Sequence, residues 1–159
     1  MSDDHKFAEM ASSCLSTPIG YLQSYANDEH LKAVLLSDTA LAERPSAVSQ
    51  LAYEQLNAYF HGSLKSFDLP LDADGTEFQK QVWQQLTTIE YAKTASYQDI
   101  AIGINKPTAT RAVGAANGKN PLTIIVPCHR IIGRSGALTG YASGIARKQF
   151  LLELEQKNK

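Results

Sequence analysis

The chain has 159 residues, 43% of them hydrophobic, and a formal net charge of −1. This size and composition suit one or two domains with a real core. The sequence contains no repeat and no run near the ~18 apolar residues of a membrane span, which excludes a repeat protein and a transmembrane helix. The first residues, MSDDHKFAEM, are acidic and include no apolar stretch of signal-peptide length, so we expect no secretory signal and a cytoplasmic location.

In the first part of the chain, two short and partly alternating segments, TPIGYLQSYA and HLKAVLLSD, are separated by the turn residues ANDE. This pattern predicts a hairpin within about 12–40. A helix is predicted from Ser46, because apolar residues recur at helical spacing as far as Tyr59. The segment SFDLPLDADGTEFQ breaks any periodicity, so a domain boundary is predicted that separates residues 1–70 from residues 71–159.

The second part of the chain is predicted to be mainly helical. Thr76 with Gln79, and Ser96 with Asp99, have the spacing of capping boxes at the start of two helices. The break INKP separates the second of these from a further helix, predicted over 107–117 with its proline in the first turn. Two short helices around a tight break form the helix-turn-helix pattern, although many helical hairpins look the same.

The charge is unevenly distributed along the chain. Residues 1–96 hold 6 Lys and Arg against 13 Asp and Glu, a net charge of −7. Residues 97–150 hold 7 Lys and Arg against a single acid, Asp99, a net charge of +6. A basic segment in a nearly neutral protein is either a solvated face or an electrostatic footprint for phosphate, and charge alone does not decide between the two.

The chain has two cysteines, Cys14 and Cys128, which lie far apart. A disulfide framework uses more cysteines at tighter spacing, so a reducing compartment is expected. Neither cysteine belongs to a CxxC pair, and Cys128 with His129 has no second ligand pair nearby, so no metal site is expected.

Cys128 stands directly before His129 in the run IIVPCHRIIG. A thiol of pKa about 8.5 becomes a strong nucleophile once a base takes its proton. Adjacent side chains on a strand point to opposite faces, so His129 could serve as that base only in a turn or through a water. The alternative interpretation is a buried structural cysteine.

A carboxylate that could assist His129 lies in the last predicted helix, which starts near Ile145. Lys148, Leu151, Leu152 and Glu155 share one face of this helix. A carboxylate beside two leucines is either an exposed charge near a frayed end or a partly buried group that needs a partner. If His129 is that partner, the three residues form a Cys–His–Glu relay.

The run NPLTIIVPCHRIIG closely resembles the active-site signature of the O6-alkylguanine-DNA alkyltransferases. DLPLDADGTEFQKQVW and SYQDIAIGINKPTATRAVGAANG upstream, and GALTGYASG with LLELE downstream, resemble the same family in the same order. The resemblance runs from about Leu51 to the end and is weaker before residue 45. It implies an α/β N-terminal domain with a ribonuclease H-like sheet and a helix, followed by a mainly α C-terminal domain with a winged-helix-like helix-turn-helix.

The resemblance also implies an activity. The alkyl group of O6-alkylguanine, and by extension of O4-alkylthymine, moves in duplex DNA to Cys128, once for each protein molecule. The protein binds the minor groove and first rotates the damaged base out of the stack. The sulfur is itself the acceptor, so no cofactor is expected, and the implied partner is double-stranded DNA bound by a monomer.

By this resemblance Cys128 is the acceptor, His129 is the base through a water, and Glu155 orients His129. Tyr97 donates to guanine N3, and Asn120 holds the turn ahead of the active-site segment. Arg111 fills the gap left by the rotated nucleotide. The other implied DNA contacts are Thr108, Ala109, Ala112, Ala115, Asn117, Gly118 and Arg130. The implied base pocket consists of Tyr97, Ile131, Tyr141, Ala142 and Ser143.

Some residues depart from the family pattern. IEYA, residues 89–92, stands where the family usually has I-P-Y-G, so Glu90 replaces a proline and Ala92 a glycine. Ser143 replaces a common glycine, and Thr123 stands where some relatives have proline. None of these changes removes a reactive group. Two other functions compete with the transferase: a non-catalytic module that binds alkylated DNA, and a cysteine hydrolase, for which the sequence marks no oxyanion hole.

Overall fold

The computed structural model describes residues 7–138 and 140–159. The chain divides into two compact units, Met1–Asp74 and Gly75–Lys159. Within the described residues, no helix combines the length and the apolar character that a membrane span requires.

The first unit contains an antiparallel sheet of three strands in the order β1-β2-β3. The strands are β1 (Ala11–Thr17), β2 (Gly20–Ala26) and β3 (Leu31–Ser37). β2 and β3 form the predicted hairpin, and the side chain of Asn27 in its turn accepts hydrogen bonds from the backbone N–H groups of Glu29 and His30. β1, with the sequence ASSCLST, was not predicted as a separate strand.

Helix α1 (Ala47–Phe60) follows the sheet in the chain. Ser46 and Ser49 form a reciprocal capping box at its start, and Ala52, Leu56 and Tyr59 are buried along one face. The buried hydroxyls of Ser13 in β1 and Ser49 in α1 lie 2.9 Å apart and share a hydrogen bond. The helix therefore covers the sheet, and the first unit has the α/β arrangement that was predicted.

The second unit is mainly helical. Its elements are α2 (Glu77–Leu86), α3 (Tyr97–Gly103), α4 (Thr110–Gly118), a 3₁₀ turn (Cys128–Arg130) and α5 (Ile145–Asn158). The predicted capping boxes at Thr76 and Ser96 are both present. Trp83 lies in the core and donates a hydrogen bond from Nε1 to the carbonyl of Ala116, 2.8 Å away.

The helix predicted over 107–117 starts later, at Thr110. The backbone N–H of Ala109 bonds the carbonyl of Lys106 at 2.9 Å and closes a turn over 106–109 that contains Pro107. The proline therefore lies before the helix. A missing N–H and a fixed φ suit a tight turn as well as they suit a first helical turn, so the sequence did not separate the two.

Candidate active site

Cys128 begins the 3₁₀ turn and is buried, with 7% of its surface exposed. The segment before it, 122–127, is largely buried and makes a tight turn in which Ile124 has φ 74°. A β-branched residue rarely adopts this left-handed conformation, so the surrounding contacts must hold it there. The sulfur is thus presented from a constrained backbone and not from a mobile loop.

Asn120 supplies part of that constraint. Its side-chain Nδ2 donates to the carbonyls of Val126 at 2.8 Å and Leu122 at 3.4 Å, and its Oδ1 accepts from the N–H of Leu122 at 2.9 Å. These three bonds tie the turn that follows α4 to the backbone just ahead of Cys128.

His129 is fully buried, and its Nε2 lies 2.7 Å from Oε2 of Glu155, which is also fully buried. An ionised carboxylate can only accept, so Nε2 carries the proton of this bond. In the neutral ring Nδ1 then holds the free lone pair. Nδ1 is buried, and no described residue bonds it. Burial lowers the pKa of His129, while the bond and charge of Glu155 act in the opposite direction.

Arg130 was expected to contact DNA, and the structure corrects that expectation. Its side chain is buried, with Nε 2.9 Å from Oε1 and Nη2 3.1 Å from Oε2 of Glu155. Its Nη1 donates to the carbonyl of Ile89 at 2.6 Å. The guanidinium is thus committed to internal partners, because Glu155 is a buried carboxylate that requires a cation or several donors.

Sequence reasoning missed the backbone of residues 89–92 as a part of the site. The N–H of Ala92 donates to Oε1 of Glu155 at 3.1 Å, and its carbonyl accepts from Nε2 of Gln156 at 2.8 Å. Ala92 has φ 63°, in the left-handed region that favours glycine. The sequence contained one sign of this conformation, because the family pattern has a glycine at this position.

The thiol of Cys128 has polar neighbours in spite of its burial. Burial raises its pKa, while the Asn120 amide, the positive charge of Lys148 and the Tyr141 hydroxyl each lower it. Lys148 is fully buried on α5, seven residues before Glu155 and so on the same face of the helix. One face of α5 therefore carries both a cation that acts on Cys128 and a carboxylate that binds His129.

Tyr97 is the first residue of α3 and is partly buried. The side chain of Tyr97 lies close to two glycines. If Gly114 of α4 carried a Cβ atom, that atom would lie 3.7 Å from the Tyr97 ring, and a Cβ atom on Gly140 would lie 3.5 Å from the Tyr97 hydroxyl. The phenol therefore lies between the α4 backbone and the start of the loop 140–144. In that loop Tyr141 is partly buried, Ala142 is exposed and Ser143 is half-buried.

Ile131, the remaining residue of the expected base pocket, is fully buried after the 3₁₀ turn. The backbone here pairs with Ala95, whose N–H bonds the carbonyl of Arg130 at 3.0 Å and whose carbonyl accepts from Ile132 at 2.9 Å. Ile131 can therefore offer backbone groups and a wall to a pocket, but its side chain belongs to the core.

The surface of α4 carries most of the expected DNA contacts. Arg111 is exposed, and Ala109 is half-buried. Also exposed on or beside the helix are Thr108, Ala112, Ala115 and Gly118. Asn117 differs, because it is 4% exposed and its Oδ1 is buried. The side chain of Asn117 faces the interior, so its expected role as a DNA contact is corrected.

The described residues hold no group of three or more His, Cys, Asp or Glu side chains placed to bind a metal ion. Both cysteines are free.

Comparison with known proteins gives matches along nearly the whole chain. The model of the 6-O-methylguanine DNA methyltransferase ribonuclease-like domain matches residues 10–73, and that of its DNA-binding domain matches residues 77–157. The methylated-DNA–protein-cysteine methyltransferase of Methanosarcina barkeri is 47% identical over 151 residues, which is 91% of this chain and 96% of that protein. That of Mycobacterium bovis is 61% identical over 105 residues, 66% of this chain and 64% of that protein.

Solved structures agree with these matches. The crystal structure of Mycobacterium tuberculosis OGT in complex with DNA superposes with a TM-score of 0.86 at 46% identity, over 93% of this chain and 94% of that chain. The crystal structure of Mycobacterium tuberculosis O6-methylguanine methyltransferase gives a TM-score of 0.85 at 45% identity, over 94% of each chain.

Proposed function

Because the chain belongs to the 6-O-methylguanine DNA methyltransferase family, we propose that it repairs DNA by moving an alkyl group from guanine O6 to its own Cys128. The substrate is double-stranded DNA that contains O6-alkylguanine, and O4-alkylthymine is a second substrate of the same chemistry. The sulfur is the final acceptor, so the reaction needs no cofactor or metal and each molecule acts once.

One observation carries this proposal: the buried Cys128 adjoins a histidine whose Nε2 is fixed by Glu155 and whose Nδ1 is unbonded by any described residue. That geometry suits a neutral imidazole that accepts the thiol proton at Nδ1, directly or through one water. The thiolate then attacks the alkyl carbon, a carbon–sulfur bond forms, and the bond from that carbon to O6 breaks.

The electron pair of the broken bond remains on guanine, which needs a proton to leave as a neutral base. Tyr97 is proposed to donate it at N3, and its place between α4 and the loop 140–144 supports a contact with a base held there. The transfer leaves an imidazolium at His129, which holds the thiol proton, and a phenolate at Tyr97. Loss of a proton from His129 to solvent and uptake of one by Tyr97 restore both groups to their neutral forms. Ile131, Tyr141, Ala142 and Ser143 form the proposed pocket around the base.

The DNA-binding part of the proposal concerns α3 and α4. We assign them to a helix-turn-helix in a winged-helix-like domain, with α4 in the minor groove. The exposed Ala112 and Ala115 support a close approach to the DNA backbone. The exposed Arg111 is proposed to fill the gap left by the flipped nucleotide and so to offset the few kcal/mol that unstacking costs. Thr108, Ala109 and Gly118 complete the proposed surface.

Three coarser expectations complete the proposal. The protein works as a monomer, because the proposed site draws all its groups from residues of one unit. Two free cysteines suit a reducing, cytoplasmic compartment. The domain boundary lies near residues 70–75.

The test is a mass measurement. The protein is incubated with a duplex that contains one O6-methylguanine, digested, and the peptide with Cys128 is weighed. One added methylene mass that saturates at one group per protein is expected, with Cys128→Ala as the control that binds the duplex and gains no mass. Binding without any mass gain in the wild-type chain would leave a non-catalytic module that recognises alkylated DNA, and repeated turnover would indicate a hydrolase.

A further inference from the structure

We propose that Arg130 is a positioning residue that sets the resting state of His129. By balancing the negative charge of Glu155, it keeps the imidazole unprotonated and therefore able to act as a base. This inference rests on the proposed function, in which His129 takes the proton of Cys128.

The geometry around Glu155 is the first step of the argument. Besides His129, its two oxygens accept from Nε and Nη2 of Arg130 and from the N–H of Ala92. Oε2 is shared between His129 and Arg130, at 2.7 Å and 3.1 Å. The carboxylate is thus paired side-on with a guanidinium, the strongest arrangement open to these two groups.

Charge balance is the second step. Glu155 and Arg130 together form a neutral buried pair, so a proton on His129 would give this buried cluster a net positive charge. A net charge in the interior is expensive because it loses its hydration. Without Arg130, by contrast, a protonated His129 would neutralise Glu155, and proton uptake would become favourable.

The other groups around the imidazole point the same way. From α5, Lys148 adds a second positive charge that disfavours a protonated His129, and Glu155 alone opposes this. From the 89–92 segment, the Tyr91 ring lies 5.7 Å from the guanidinium of Arg130, and burial raises the pKa of its phenol, which stays neutral. Cys128 is the adjacent titratable group in the turn, and burial raises its pKa, so it also rests uncharged.

The first test uses the wild-type chain and does not depend on DNA or on activity. The ring nitrogens of His129 are followed by long-range ¹H–¹⁵N NMR as the pH falls from 8. The expected result is a neutral ring with the proton on Nε2 at pH 7, which persists below 6.5, the ordinary pKa of histidine. A His129 that is protonated at pH 7 would overturn the inference.

The second test compares two variants by the pH dependence of single-turnover transfer and by the same NMR titration. Arg130→Met removes the charge, so His129 should take up its proton at higher pH and the acid limb of the rate profile should move upward. Arg130→Lys keeps the charge but loses the side-on pairing, so the limb should stay in place while the maximal rate falls.

The outcomes separate the possible roles. Slower transfer in both variants with an unmoved acid limb would mean that Arg130 is only a structural anchor, and the proposal would fail. If neither variant folds, a wild-type His129 that is protonated at pH 7 still overturns the proposal. If wild-type Cys128 gains no alkyl group while His129 titrates as expected, the proposed function fails and the inference about the charge of His129 stands.

Discussion

The thiol of Cys128 is held between burial, which raises its pKa, and polar neighbours that lower it. Burial has the larger effect, so the resting protein carries a thiol and the reaction needs a base. This protects the sulfur from adventitious electrophiles, since the thiolate is the nucleophilic form. Reactivity then depends on the few groups that favour the thiolate once the proton leaves, and Lys148 is the charged one among them.

We therefore expect Lys148→Met to lower the reactivity of Cys128 while keeping an apolar stem of similar length. Loss of the nearby cation raises the thiol pKa, so the midpoint of the rate of iodoacetamide labelling against pH should move upward. Lys157→Met, an exposed position on the same helix, is the matched control and should leave the midpoint in place. Identical profiles for the two variants would show that Lys148 does not act on the sulfur.

Ala92 offers a test of the strained backbone beside Glu155. A non-glycine residue in the left-handed region costs roughly 1–2 kcal/mol, and Ala92 has φ 63°. Ala92→Gly should therefore raise the free energy of unfolding in urea by about 1 kcal/mol. Ala58→Gly, inside α1, should lower it by about 0.5–1 kcal/mol. A destabilised Ala92→Gly protein would refute the strain argument.

The sequence drew attention to three residues of the candidate site more readily than to the contacts between them. Cys128 and His129 stood out because they are adjacent, and Glu155 because it shares a helical face with leucines. Arg130 was misassigned, since a basic residue in a basic segment resembles a phosphate contact. Its true partner lies 25 residues further along the chain, and the pairing exists only once α5 is folded against the 3₁₀ turn.

At the scale of elements, the residues that cap helices could be predicted from the sequence more easily than the segments that form strands. Thr76 and Ser96 marked helix starts because a cap depends on residues only three positions apart. β1 was not predicted, because its serines break the apolar alternation that indicates a strand. The structure buries Ser12 and Ser13, and Ser13 finds its partner in α1, a tertiary contact that no local pattern contains.

Ser96 connects a cap to the proposed chemistry. Its hydroxyl accepts from the N–H of Asp99 at 3.0 Å, and the helix that it caps begins with Tyr97. Ser96→Ala should cost about 1 kcal/mol of stability and slow alkyl transfer, because the start of α3 becomes less ordered. Denaturant unfolding and single-turnover kinetics measure the two effects. The control Ser135→Ala, at an exposed loop position, should change neither the stability nor the transfer rate. If Ser96→Ala is destabilised but transfers the alkyl group at the normal rate, the cap does not contribute to the chemistry of the site.

At the scale of the whole molecule, the uneven charge has two distinct parts. Of the seven basic residues in 97–150, Arg130 and Lys148 are buried and belong to the candidate site, and Arg147 is partly buried. The other four, Lys106, Arg111, Lys119 and Arg134, are exposed. The sequence alone could not divide the net charge of +6 in this way, because burial is a property of the fold. The four exposed residues are the ones that solvent, and therefore phosphate, reaches most directly.

The exposed group predicts how binding responds to salt. Each phosphate contact releases counterions and contributes about −0.9 to the slope of log K against log salt concentration. Lys119 is exposed at the end of α4, so Lys119→Ala should make the slope for duplex DNA shallower by about 1. Lys65→Ala, outside the basic segment, should leave the slope unchanged. If Lys119→Ala and wild type have equal slopes, Lys119 does not contact a phosphate. Loss of a cation that contacts a phosphate must reduce the number of counterions released.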